Sequence, residues 1–85
     1  MGLFSKTDSA TKIRYAEEKV RECERMLAAQ KQNRETAKKC GNYKNASKNY
    51  RSGTKVGTVY DANVWTAEEH LKRAKAALAE AKKNK

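Results

Sequence analysis

Two stretches of this chain place apolar or small residues at alternating steps of three and four, and that spacing leaves few folds open. The first reads Ile13, Ala16, Val20, Cys23, Leu27, Gln30, Arg34, Ala37, and the second Tyr60, Val64, Ala67, Leu71, Ala74, Leu78, Ala81. Such steps keep side chains on one stripe of an α-helix. In each stripe a larger residue alternates with a small one for most of its length. Small residues at every second seam position let two backbones approach closely. The expected fold class is therefore all-α, an antiparallel two-helix hairpin, coiled-coil-like, with an Ala-rich seam.

Composition sharpens this expectation. Leu, Ile, Val and Phe together number only ten of 85 residues, and the formal charge is +10. That combination ordinarily describes a disordered chain. Thirteen alanines oppose it, since alanine is the best helix former. A chain this short makes one small domain and has no room for a deep substrate pocket or a second catalytic domain. Six large seam residues, at roughly 1.5–3 kcal/mol each when buried, barely exceed the ordering entropy. Self-association into a homo-oligomer is expected to extend so thin a core.

The expected boundaries are a flexible leader over 1–8 and a single domain over 9–85, divided into a helix over 9–40, a connector over 41–60 and a helix over 61–83. Ser9, supported by Asp8, suits an N-cap, and Gly41 is the natural stop of the first helix. For the second helix two starts compete. Asp61 suits a cap, and Thr66-Ala67-Glu68-Glu69 suits a capping box. The apolar stripe continues upstream of Thr66, which favours a start near Asp61. Lys38 and Lys39 in one last turn, and Lys82 and Lys83 in the other, complement the helix dipoles.

The long connector admits two local structures. Tyr43, Ala46 and Tyr50, at i, i+3 and i+7, suit a short extra helix ending at Gly53. Alternatively, Ser52-Gly53 suits a β-turn leading into a β-prone run from Thr54 to Tyr60. Connectors of this length are usually functional or disordered.

Catalysis finds little support. His70 is the only histidine, so one chain offers no multi-histidine metal site. Cys23 and Cys40 show no zinc-ligand spacing. Cys23 lies on the seam and reads as a buried structural thiol. Cys40 follows two lysines, which would favour a thiolate only if it were exposed. On one helix the two would stand about 25 Å apart, too far for a disulfide. No phosphate-cradling glycine loop is present. The expectation is a protein that is not an enzyme and needs no cofactor. No apolar run approaches the ~18–20 residues of a membrane span, and no signal-peptide pattern opens the chain, so a cytoplasmic setting without membrane contact is expected.

Charge distribution is more telling. Thr36 to Tyr60 contains six basic residues, Lys38, Lys39, Lys44, Lys48, Arg51 and Lys55, and no carboxylate. These six are the candidate polyanion-binding residues. Tyr43 and Tyr50 lie among them as candidates for stacking on bases. Cations neutralise phosphates and release counterions, which drives nucleic-acid binding. Lysines that merely solvate a mobile loop are the competing account. Trp65, the single tryptophan, is expected either to plug the connector end of the helix pair or to anchor a partner protein. The expected function is that of a small basic protein binding nucleic acid or another polyanion through the connector and the basic helix faces. The alternative is a protein-interaction module, or a small stoichiometric inhibitor of the kind a mobile element encodes, docking on an acidic surface.

The stripes themselves make a prediction. Leu27→Asp or Leu71→Asp places a charge in the helix interface and should unfold or dissociate the protein. Glu24→Ala, off the stripe, should shift stability by less than about 0.5 kcal/mol. Thermal melts decide the matter; equal tolerance of all three would assign the interface to the wrong face.

Overall fold

The computed structural model describes residues 9–83. The expected leader over 1–8 lies outside the described residues, as does Asp8. Two long helices dominate: α1 (Ser9–Cys40) and α3 (Val59–Lys83). Between them come a single helical turn, α2 (Asn42–Asn45), and two short strands, β1 (Tyr50–Ser52) and β2 (Lys55–Gly57). The shape is a rod with extents of 56 × 25 × 20 Å.

The long helices pack against each other along the expected stripes. Every stripe residue is buried or half-buried. Contacts move earlier along α1 as they move later along α3: Arg34 meets Asp61, Leu27 shares a groove with Leu71, and Cys23 shares another with Ala74 and Ala77. Four of the five fully sequestered apolar residues are small, Cys23, Ala37, Ala67 and Ala74, and the fifth is Val64. Leu27, Leu71, Leu78 and Ile13 are only half-buried. Small side chains let the backbones close up, and the larger ones cover the flanks of the seam. Both cysteines are free, Cys23 buried and Cys40 exposed.

Of the two helix ends at the connector, the first matches expectation and the second does not. Gly41 does end α1, with a left-handed φ of 85°, and its N–H donates to the Lys38 carbonyl at 3.3 Å. Ser9 is itself helical rather than a flanking residue. The second long helix begins at Val59 and not at Asp61. Its cap is Thr58, whose Oγ1 accepts from the backbone N–H of Tyr60 at 3.2 Å and of Asp61 at 3.4 Å. Asp61 answers as the third helical residue, accepting the Thr58 N–H on Oδ2 at 3.0 Å. This is a capping box in which Asp takes the place of Glu. Thr66 and Glu69 therefore lie well inside the helix.

Within the connector, each of the two expected local forms occurs in shortened form. The helix is one turn, closed by Asn45 N–H to Gly41 O, and Ala46 turns away in extended geometry. Tyr50 is therefore not on it. The Ser47-Lys48-Asn49 run that follows favours turns over helix. The strands pair antiparallel, Tyr50 with Gly57, Arg51 with Val56 and Ser52 with Lys55. The two-residue turn is thus Gly53-Thr54, one position later than expected. Gly53 has φ 61°, the sign a two-residue β-hairpin turn requires at its first central position. Val59 and Tyr60, expected to be β-prone, belong to the helix because the Thr58 cap recruits them.

Gly57 is where the β-hairpin meets the capping box. A Cβ there would come within 2.6 Å of Asp61 Oδ2 and 2.8 Å of Asp61 Cβ. Gly57→Ala should therefore destabilise the protein by about 1–3 kcal/mol through overpacking. Gly53→Ala, with open space around its Cα, should lose only the smaller backbone term of about 1–2 kcal/mol. Urea titrations of the two variants measure the difference; a silent Gly57→Ala would contradict the close approach.

Candidate nucleic-acid interface

The connector end of the molecule is organised around one carboxylate. Asp61 is buried and receives four hydrogen bonds from three residues of separate segments. Arg34 Nη1, from α1, donates to Oδ1 at 3.1 Å. Tyr43 OH, from α2, donates to Oδ2 at 2.7 Å. The Thr58 N–H donates to Oδ2 at 3.0 Å and the Thr58 hydroxyl at 3.3 Å. Burial alone would raise the Asp61 pKa. The hydrogen bonds from Thr58, Tyr43 and Arg34 outweigh it and hold the carboxyl below its ordinary range. Conversely, the hydrogen bond to Asp61, then burial and the nearby negative charge, push the Tyr43 hydroxyl up, against the opposing effect of Arg34.

This arrangement leaves the connector's own charge uncancelled. Asp61 is the first carboxylate after Glu35, and its charge is spent on internal partners. The six candidate cations, Lys38, Lys39, Lys44, Lys48, Arg51 and Lys55, are all exposed. Among the described residues only Lys38 of these six has an ion pair, a loose one with Glu35 at 3.8 Å. Such an exposed pair adds little.

The aromatic candidates divide. Tyr43 is half-buried, its hydroxyl committed to Asp61 and its ring 6.3 Å from that of Tyr60. Lys38 Nζ lies over the same ring, 5.2 Å from its centre. Tyr43 thus ties the single-turn helix to α3, which a sequence pattern of tyrosines among lysines does not reveal. Tyr50 is 45% exposed and its ring is open to solvent. Trp65 is half-buried on α3, with Lys55 Nζ 5.9 Å from its ring centre. That distance is within cation–π range. Arg51, from β1, shares an open cleft with Trp65, His70 and Arg73. None of the last three except Trp65 stood out in the sequence, because His70 and Arg73 read there as ordinary surface residues.

Arg34 is the other residue whose role the sequence concealed. Its position on the stripe was legible, but its partner lay 27 residues away. Its Nε is buried with no hydrogen-bond partner, so the whole pairing rests on Nη1.

The sign of the Asp61 shift predicts an acid limb. Its stabilising contribution is fully present above the ordinary carboxylate value of 3.8 and is lost as pH falls through the lower folded value. Tyr43 contributes in the opposite sense, fully below 10.0 and lost as pH rises through its raised folded value. Melting temperature should therefore hold level across neutral pH and fall below about pH 4. Asp61→Asn should lower stability at pH 7 by about 1–3 kcal/mol and flatten the acid limb. An unchanged limb in the variant would remove Asp61 from this role.

No helix among the described residues is long and apolar enough to cross a membrane. No family model, no curated protein and no solved structure matches the chain, so its own geometry and charge guide what it binds.

Proposed function

We propose that this is a small binding protein in which a coiled-coil-like helical hairpin presents the basic connector to nucleic acid or another polyanion. One observation carries the reading. Six exposed cations cluster between residues 38 and 55, and the carboxylate that closes the connector is buried and internally neutralised. A chain that needed lysines only for solubility would gain nothing from sequestering the carboxylate that closes the connector. The β-hairpin and the Asp61 network give the cations a fixed scaffold, which favours recognition of a repeating charge over mere attraction. Neither a cofactor nor catalytic chemistry enters this reading, and a cytoplasmic setting goes with it.

A second reading has its own observation. A groove of about 480 Å³ between the long helices is lined by Cys23, Ala74, Ala77 and Met26, the last 49% exposed. That surface suits a protein partner with an acidic rim, or a second copy of the chain forming a homo-oligomer.

Salt dependence separates the two. Affinity for a phosphate chain should fall with salt at a log–log slope of about −0.7 to −0.9 per phosphate neutralised. Replacing Lys44, Lys48, Arg51 and Lys55 together by Ser should weaken binding and flatten the slope by about three to four units. Gel shifts belong at about 0.1–0.15 M salt, where a Debye length of ~8–10 Å screens casual attraction. Absence of any shift there, with single- and double-stranded DNA and RNA alike, would favour the protein-partner reading.

A further inference from the structure

The cleft between the β-hairpin and α3 combines features that a polyanion alone does not require. It encloses about 350 Å³, and its floor is one face of α3 carrying Trp65, Thr66, Glu69, His70 and Arg73. Its wall is β1, which contributes Arg51. Glu69, the cleft's carboxylate, forms an exposed ion pair with Arg73 Nε at 3.3 Å. Arg51 has no ion-pair partner among the described residues, and Lys55 Nζ stands over the Trp65 ring. An aromatic surface edged by cations and hydroxyls is complementary to a flat ring joined to a phosphate.

We infer that this cleft is a nucleotide subsite for single-stranded nucleic acid, in which one unpaired base takes the place of the Lys55 ammonium over Trp65 and its flanking phosphates meet Arg51 and the displaced Lys55. The inference rests on the polyanion reading and makes it specific. Stacking moves from Tyr43, whose hydroxyl is held by Asp61, to Trp65. A duplex is excluded from the cleft, because paired bases do not offer their faces. His70, also lining it, adds a ring nitrogen able to donate to phosphate or to a base edge.

Trp65 is the chain's single tryptophan, so its emission reports the cleft directly. The full-length protein is titrated with a fifteen-residue oligothymidylate, with a duplex of equal length, and with a long-chain polyphosphate that has charge but no bases. Binding is followed separately by anisotropy of a labelled oligonucleotide, directly or in competition. Expected is quenching of Trp65 by the single strand, and binding of polyphosphate without quenching. Trp65→Leu, with its helix content verified by circular dichroism, should weaken the single strand about tenfold and leave polyphosphate unaffected. Single-strand binding that leaves Trp65 emission unchanged, or equal quenching by polyphosphate, would overturn the cleft assignment while the polyanion reading stands. No binding by any of the three would overturn both.

Discussion

The Asp61 carboxylate is the interaction on which the connector end depends. Four segments meet there: α1 through Arg34, α2 through Tyr43, the α3 cap through Thr58, and β2 through the close approach of Gly57. None of these segments has an apolar core of its own. The β-hairpin has two three-residue strands, and isolated two-stranded hairpins are marginal in water. A shared hydrogen-bonded anion replaces the missing hydrophobic contact. Burying it would be unfavourable without partners, but here both oxygens are satisfied.

The same charge pair bears on how the long helices align. A seam of alanines and half-buried leucines discriminates poorly between registers, since a shift of one heptad exchanges similar residues. A single polar position in such a seam is the best-attested device for selecting one alignment. Gln30 and Arg34 are the polar positions of the first stripe, and Arg34 is the one with a hydrogen bond across to α3: displaced by one heptad it would lose Asp61.

Function and fold share this arrangement. Because the Asp61 charge is turned inward, the connector's cations face solvent, and among the described residues only Lys38 of these cations has an ion pair, with Glu35. The network also fixes the first turn of α3, which sets Trp65 beneath the β-hairpin next to Lys55 and Arg51. Further along α1, by contrast, both signs are mixed, as in the Lys19–Glu22 pair. The molecule is asymmetric in charge even though its two long helices are similar in pattern.

Helix periodicity belongs to local sequence, because 3.6 residues per turn imposes the same three-and-four spacing wherever a helix buries one face. Hence both stripes, the Gly41 stop and the acid-free run from Thr36 to Tyr60 were legible in the residues themselves. The start of α3 was not, because Thr58 and Asp61 cap each other reciprocally, and either alone suits a cap. Residues 42–57 were legible in kind, a short helix and a β-turn, but not in extent. Weak propensities for helix and strand coexist there, and the outcome turned on what could pack against α3 beside Asp61. Tertiary structure alone paired Arg34 with a carboxylate 27 residues away, committed the Tyr43 hydroxyl to the scaffold, and brought Arg51 across from β1 to Trp65 and Arg73. Such long-range pairs leave no mark in spacing or composition, since they are chosen by how the chain returns on itself.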